Sequence, residues 1–490
     1  MNIHLILQMA ADSMPDREAV ICGSQRLTYQ DLADAVNSLA NSLDDTKKLA
    51  YLAETGTSAP VAMFAAALRG IPYVPINYRL ADDQITALLK RVSPALLISE
   101  DTPEIDGISS MTPAQVFEAG TPWEGFAPDE EGGIAIELFT SGTTGDPKSA
   151  ILRHDNLMAY ILGTIEFMSA EETQSTLVSV PPYHIAGISA ILSSVYAGRR
   201  MVQLPNFSPE AWLDLAKREN VSQAFLVPTM LQRIIEHVTS NNETLDLPAM
   251  QAIAYGGGKM PHAVIEQAMA LLPQVNFTNA YGLTETSSTI CLLDPDDHRD
   301  AFQSDDPAIR ARLYSVGRPL PAVEVEIRDD DNAVCGAGEA GYVFVRGEQV
   351  SGEYHGSGSL LDAEGWFPTR DRGYLDDAGY LFLDGRADDV IVRGGENISP
   401  GEIEDVLIDM PDIKDVAAIA VADDEWGEAV GVVIVPADMT APPEIEAIKA
   451  HVKEQLRSSR VPTQVKFVEE LPYNETGKLL RRVLRDGFTT

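Results

Sequence analysis

Thr140-Ser141-Gly142-Thr143-Thr144-Gly145-Asp146-Pro147-Lys148-Ser149 is the stretch on which the reading of this chain turns. Its glycines let backbone amides turn inward, its threonine and serine hydroxyls add donors, and Lys148 brings a positive charge. Together these groups suit a polyphosphate. The spacing is not Gly-x-x-x-x-Gly-Lys-[Ser/Thr], so it is no Walker A loop. On composition, a flexible turn rich in small residues fits the stretch as well.

Working outward, the run from Ile134 to Thr140 reads as a strand entering the loop, and Asp155 to Met168 as a helix beyond it. Upstream, Leu32, Val36, Leu39, Ala40 and Leu43 recur at helical spacing, with Thr28 as the cap. Ala59 to Leu68 reads as a buried helix ending at Gly70, Ile71 to Ile76 as a proline-broken strand, Asp82 to Arg91 as a helix and Ala95 to Ser99 as a strand. This alternation predicts an α/β fold with helices on both faces of a parallel sheet. Glu100 to Gly133, acidic and rich in Pro and Gly, reads as a surface connection. Val178 to Val180, Arg200 to Leu204 and Ala224 to Val227 are further strands. After Gly317 the pattern turns to period two: Val323, Val325 and Ile327 alternate with charged residues, and Gly341 to Val345 is a second strand. From Gly385 a last α+β unit follows, with helices Pro400 to Ile408 and Pro443 to Leu456, strands Val416 to Val421 and Gly431 to Val435, and a basic tail.

The totals narrow the function. With 490 residues and 45% hydrophobic content, the chain can fill a large core and a smaller one. A net charge of −38 repels nucleic acid and anionic lipid, so neither is an expected partner. Any polyanionic ligand must find Lys and Arg concentrated locally. Cys22, Cys291 and Cys335 have neither zinc-site spacing nor the number for a disulfide framework, which suits a reducing, cytoplasmic compartment. The first residues read as an amphipathic helix rather than a signal peptide, and no apolar run is long enough to span a bilayer.

The phosphate-type loop resembles the signature loop of the adenylate-forming superfamily, which includes acyl-CoA synthetases, aryl-CoA ligases, firefly luciferase and the adenylation domains of peptide synthetases. Further segments match in order: Pro181 to Gly187, Ala254 to Gly258, Asn279 to Thr286, Gly365 to Asp371, Gly385 to Ile398 and Leu471 to Lys478. The resemblance covers nearly the whole chain. It implies an N-terminal AMP-binding domain over 1–386, built of doubly wound mixed sheets plus a β-rich subdomain at about 317–386, and a small mobile α+β domain over 387–490.

It also implies roles. Thr140, Ser141, Gly142, Thr143, Thr144, Gly145 and Lys148 would hold the phosphates of ATP. Asn279, Ala280, Tyr281 and Gly282 would form a wall of the AMP site, with Tyr281 near adenine, Thr284 on the α-phosphate and Glu285 holding Mg²⁺. Asp371 would accept from the ribose hydroxyls, and Arg386 would reach the nucleotide. Arg370 stands where the family has glycine. Asp388 matches the hinge, and Gly394-Gly395 leaves a tunnel open for a pantetheine arm, although a plain β-turn also explains the pair. Lys478 would bridge the acid and the nucleotide phosphate in the first half-reaction.

Tyr183, His184, Gly256, Gly257 and Gly258 match the acid pocket, with His184 either a gate or a satisfied core histidine. A histidine, where amino-acid-activating relatives have an aspartate, favours an organic acid without an α-amino group. The expected reaction is ATP-dependent activation of a fatty or aromatic acid to its acyl-adenylate, then transfer to coenzyme A. Loading of a carrier protein in trans, a non-catalytic nucleotide-binding regulator, and a homodimer stay open.

Overall fold

The computed structural model describes residues 1–43, 46–101, 103–118, 120–128, 132–140, 147–241, 244–423, 425–474 and 478–488. The elements begin where local chemistry says they should. The helix Tyr29–Asn41 starts in a capping box, in which Thr28 Oγ1 accepts from the Asp31 amide at 3.1 Å and Asp31 accepts from the Thr28 amide at 2.9 Å. The helix Ser58–Arg69 stops at Gly70, whose φ of +65° takes the left-handed cap. Carrying no charge before Arg69, this helix buries every residue from Ser58 to Leu68.

Two large mixed sheets form the first part. A nine-stranded sheet runs in the order Arg318–Pro319, Ser288–Leu293, Asn276–Leu283, Ala252–Gly256, Gln223–Leu226, Ser175–Val178, Arg200–Gln203, Glu18–Cys22, Gln25–Thr28. Its central strands are parallel, and antiparallel partners close both ends. An eight-stranded sheet has the order Gly358–Ser359, Glu353–Tyr354, Lys148–Arg153, Ile134–Thr140, Tyr73–Pro75, Leu49–Leu52, Ala95–Ser99, Ile108–Met111. One apolar core joins residues of both sheets, from Ile3 to Leu313, so helices cover both faces as the alternation predicts.

A four-stranded antiparallel sheet follows, in the order Glu324–Arg328, Gly341–Arg346, Phe367–Leu375, Leu381–Arg386. The last sheet is ordered Glu396–Ile398, Ile391–Arg393, Gly427–Pro436, Ile413–Asp423, with Gln464–Phe467 parallel to Gly427–Pro436. Alternate residues of its long hairpin are buried on opposite faces. Val416, Ala418, Val430, Val432 and Ile434 meet the helices Pro400–Ile408 and Ile445–Gln455. Ala417, Ile419, Ala429 and Val433 meet Leu471 and Leu484.

The chain forms two compact units, one of Met1–Glu324 with Val345–Phe367, the other of Val325–Phe344 with Pro368–Thr490. The strands of the β-rich segment thus share a unit with the C-terminal residues. Among the described residues, no helix is long and apolar enough to cross a membrane.

Some elements differ from the sequence reading. The connection 100–133 contains a strand, Ile108–Met111, paired with Ala95–Ser99, because its short polar-apolar run gains a ladder only at the sheet edge. The helix expected to reach Met168 ends at Thr164, whose hydroxyl bonds back to the Tyr160 carbonyl at 2.6 Å. The strand expected at Val178 to Val180 is Ser175–Val178. Its buried serine and threonine hide it from a hydrophobicity reading, and Pro181-Pro182 brings no amide to continue it. The phosphate-type loop leads into a strand, Lys148–Arg153, before the helix His154–Thr164.

Candidate active site

In the first unit, the strands on either side of the loop pair antiparallel, with Thr140 facing Lys148 and Thr140 Oγ1 donating to the Lys148 carbonyl at 3.4 Å. Ser141, Gly142, Thr143, Thr144 and Gly145 lie outside the described residues. Arg91 Nη1 donates to the Pro147 carbonyl at 2.7 Å and fastens the far end of the loop. The exposed Lys148 ammonium lies 5.7 Å from the centre of the Tyr354 ring, within cation–π range. Tyr354 belongs to the next strand of the same sheet, opposite Ala150. Its hydroxyl donates to Oε1 of Glu285.

Glu285 itself sits in the short turn Thr284–Thr286, which follows the strand Asn276–Leu283. The turn is held from several sides. The Glu285 carbonyl accepts from the Ser351 and Gly352 amides at 2.9 and 3.0 Å. The buried Gln349 side chain donates to the Thr286 and Thr289 carbonyls at 3.0 and 2.7 Å. Ser287 and Ser288 then follow with φ of +56° and +121°, conformations that side chains disfavour and that surrounding structure must enforce. A carboxylate oriented this firmly fits a Mg²⁺ ion. Among the described residues no three His, Cys, Asp or Glu group to hold a metal. Mg²⁺ commonly needs only one or two carboxylates when phosphates and water complete its shell.

Along the preceding strand, Asn279 Nδ2 donates to the Ser315 carbonyl at 3.0 Å, and Tyr281 is paired with Cys291 across a bulge. Gly282 is obligatory here, because a Cβ would overlap the Ser288 carbonyl oxygen. Gly256, paired with Ala280, is equally constrained by the Ala280 carbonyl oxygen. Gly257 has φ +83°, and Gly257 and Gly258 are exposed.

His184 precedes the apolar helix Ile185–Ala197, its carbonyl accepting from Gly187 at 2.9 Å. Its ring packs 4.7 Å from that of the buried Tyr183, which meets Tyr78 edge-on at 5.4 Å. Burial, and then the positive charge of Arg79, lower the imidazole from 6.5 to about 4, so it is neutral at physiological pH.

In the second unit, Asp371 and Arg386 face each other across two antiparallel strands, with Nε 2.9 Å from Oδ1. Asp371 is buried, and its amide donates to Thr369 Oγ1 at 3.1 Å, while Arg386 Nη1 donates to the Thr369 carbonyl at 3.1 Å. Arg370, between Thr369 and Asp371 in sequence, has φ +64°, a conformation that glycine adopts without strain and other residues disfavour. Asp388 lies in the turn Ala387–Asp389. Gly394 and Gly395, at φ +58° and +84°, form the two-residue turn of the hairpin Ile391–Arg393/Glu396–Ile398. Such a turn requires left-handed residues at both central positions, whatever else passes by. Lys478 closes a loop in which its amide donates to Asn474 Oδ1 at 2.8 Å and the Asn474 amide donates back to its carbonyl at 2.9 Å.

Sequence reading missed Tyr354 and Gln349. Neither stands in a run with recognisable spacing; only the fold brings Gly352-Glu353-Tyr354 beside the loop strand.

Comparison with known proteins identifies the family of the chain. The model of the AMP-binding enzyme family matches residues 7–355, and that of the AMP-binding enzyme C-terminal domain matches residues 402–478. A fatty acid–[acyl-carrier-protein] ligase, ScoC of Streptomyces coeruleorubidus, is 28% identical over 98% of this chain and 95% of its own. A 2-succinylbenzoate–CoA ligase of Bacillus cereus (strain Q1) is 28% identical over 98% of this chain and 97% of its own. The o-succinylbenzoate CoA synthetase MenE of Bacillus subtilis, solved with its acyl-adenylate intermediate, superposes with a TM-score of 0.85 at 27% identity, covering 98% of both chains. The same enzyme solved with ATP and magnesium ion gives 0.84 at 26% identity, covering 99% of both. With both family models matched in order, the chain belongs to the AMP-binding enzyme family, within the adenylate-forming superfamily of acyl- and aryl-CoA ligases.

Proposed function

We propose that this chain joins a carboxylic acid to coenzyme A in two steps through an acyl-adenylate. A free carboxylate is a poor electrophile because its leaving group would be oxide. Attack of the carboxylate oxygen on the α-phosphorus of ATP releases pyrophosphate and makes AMP the leaving group. The thiolate of coenzyme A then attacks the acyl carbon and AMP departs. The observation that carries this reading is the assembly of Lys148, Tyr354 and Glu285 at the loop hairpin: a cation for phosphate and an oriented carboxylate for Mg²⁺, in a chain of net charge −38.

In this reading the residues Thr140 to Gly145 and Lys148 bind the phosphates, and Thr284 donates to the α-phosphate. Glu285 would hold Mg²⁺, which when bound neutralises phosphate charge. Asn279, Ala280, Tyr281 and Gly282 line the AMP site, Asp371 accepts from the ribose, and Arg386 both holds Asp371 and reaches the nucleotide. Lys478 bridges acid and phosphate during adenylation and withdraws before thiol attack. The domains 1–386 and 387–490 move about Asp388, a hinge motion of a common kind. Gly394-Gly395 admits the pantetheine arm.

The acid contacts Tyr183, His184 and the Gly256 to Gly258 wall. A neutral His184 offers no anion to an α-amino group, which supports an organic acid. The relatives' names support an aromatic or a fatty one. Cys22, Cys291 and Cys335 are all free thiols, which supports a cytoplasmic setting.

Acid-dependent pyrophosphate release from ATP, scanned over fatty, benzoic, cinnamic and dicarboxylic acids without thiol, tests the first step. No release with any acid would sink the reading. AMP and thioester formation with coenzyme A, against a phosphopantetheinylated carrier, tests the second. The ScoC relative makes the carrier the competing acceptor, and acylation of the carrier alone would replace coenzyme A in the scheme.

A further inference from the structure

Position 370 holds an arginine in a glycine's conformation, at φ +64°. A side chain in the left-handed region is disfavoured, so a compensating contact is expected. The structure supplies one. Arg370 Nη1 lies 3.9 Å from Oδ2 of Asp388, with both side chains about half exposed.

The contact is the end of a longer series. Arg485 donates to the Asp388 carbonyl at 3.5 Å and pairs with Asp389 at 3.2 Å. Arg481 lies 3.5 Å from Asp389 and pairs with Glu404, while also donating to the Ala418 carbonyl at 2.6 Å. Charges of alternating sign therefore run from Arg370, beside Asp371, through the turn Ala387–Asp389, to the helix Arg481–Asp486 just beyond Lys478. The Arg481 end is largely covered and bonded several times; the Arg370 end is about half exposed and makes one longer contact.

We propose that Arg370 is a positioning residue that acts through Asp388: it grips the pivot turn in the arrangement seen here and so sets the balance between the two half-reactions. The inference rests on the proposed pivot role of Asp388. An exposed pair at this distance is weak and screened by salt. That is the strength suited to a contact broken and remade in each turnover. Glycine at this position could not make it.

The experiment measures adenylation (acid-dependent pyrophosphate release) and thioester formation from supplied acyl-adenylate, and takes the ratio of their rates. Arg370→Ala and Arg370→Gly should both shift that ratio about two- to fivefold in the same direction at low salt. Arg370→Lys should largely restore it. Asp388→Asn should give the same shift, and the Arg370→Ala/Asp388→Asn double variant no more. In about 0.5 M NaCl the variants and the parent should converge. The KM for ATP should not change in Arg370→Ala.

An unchanged ratio in the Arg370 variants overturns the proposal. So do opposite shifts in Ala and Gly, which would report the backbone alone, additivity with Asp388→Asn, or a raised KM for ATP at constant ratio, which would assign Arg370 to the nucleotide. Asp388→Pro, assayed in parallel, separates the two failures. If it shifts the ratio while Arg370→Ala does not, the pivot stands and the grip falls. If Asp388→Pro is silent, the pivot reading falls and the grip with it.

Discussion

Tyr354 stands between Lys148 and Glu285: its ring faces the ammonium at 5.7 Å and its hydroxyl donates to the carboxylate. The tyrosine thus touches both charged side chains, which, among the described residues, make no direct ion pair with each other. Tyr354→Phe keeps the ring and removes the bond to the carboxylate. A hydrogen bond to a charged group contributes about 1.5–3 kcal/mol, so adenylation should slow by about ten- to hundredfold. The concentration of Mg²⁺ needed for half-maximal rate should rise. Binding of Mn²⁺ together with a non-hydrolysable ATP analogue, followed by electron spin resonance, should weaken in parallel. Unchanged metal dependence would show that Glu285 needs no such support.

Removing Arg386 should hurt more than removing the charge of Asp371. Arg386→Ala strands a buried carboxylate, for which a loss of about 1–3 kcal/mol in stability is expected. Asp371→Asn keeps the shape and needs no cation, so its melting temperature should stay near that of the parent while its KM for ATP rises. Equal melting temperatures for both variants would refute the pairing as a structural element.

Lys478→Ala should impair adenylation strongly, by about 2 kcal/mol or more of transition-state stabilisation, yet largely spare thioester formation from supplied acyl-adenylate. The two bonds between Asn474 and Lys478 use the lysine's amide and carbonyl, which the alanine variant keeps. Equal loss in both halves would remove the role given to this lysine.

Acid should weaken the fold before carboxylates titrate. His154 and His298 are buried, and desolvation lowers both from 6.5 to about 4. Above pH 6.5 neither form binds a proton and the groups add no pH dependence. Between 6.5 and 4 the unfolded chain takes up protons that the folded chain refuses, so stability falls as pH falls, by up to about 3 kcal/mol per histidine. Urea denaturation at pH 7.5, 6.0 and 5.0 should show this loss. His298 Nδ1 donates to the Asp294 carbonyl, and Nε2 of the neutral ring accepts from the Tyr255 hydroxyl, both at 2.8 Å. His298→Asn should be less stable at neutral pH but show a shallower slope. An identical slope would mean that His298 does not titrate on unfolding.

The alternating strands and helices, the cap at Thr28 and the stop at Gly70 were legible in the sequence because each rests on local chemistry. The strand Lys148–Arg153 was not, since three apolar residues between charges fit several conformations and only its partners Ile134–Thr140 and Glu353–Tyr354 select one. Ser175–Val178 escaped for the converse reason: its polar residues are buried by tertiary contacts, Ser222 Oγ bonding both the amide and the carbonyl of Ser175. The candidate residues Lys148 and Glu285 of the first unit, and Asp371 and Arg386 of the second, could be named by their segments. The Tyr354 contact and the Asp371–Arg386 pair arise between strands distant or unaligned in sequence, so no spacing announces them.

The carbonyl oxygens of Ala280 and Ser288 occupy the room a methyl would need at positions 256 and 282. Any side chain at either glycine would therefore wedge neighbouring strands of the large sheet apart, so substitution there would report on folding before it reported on any ligand.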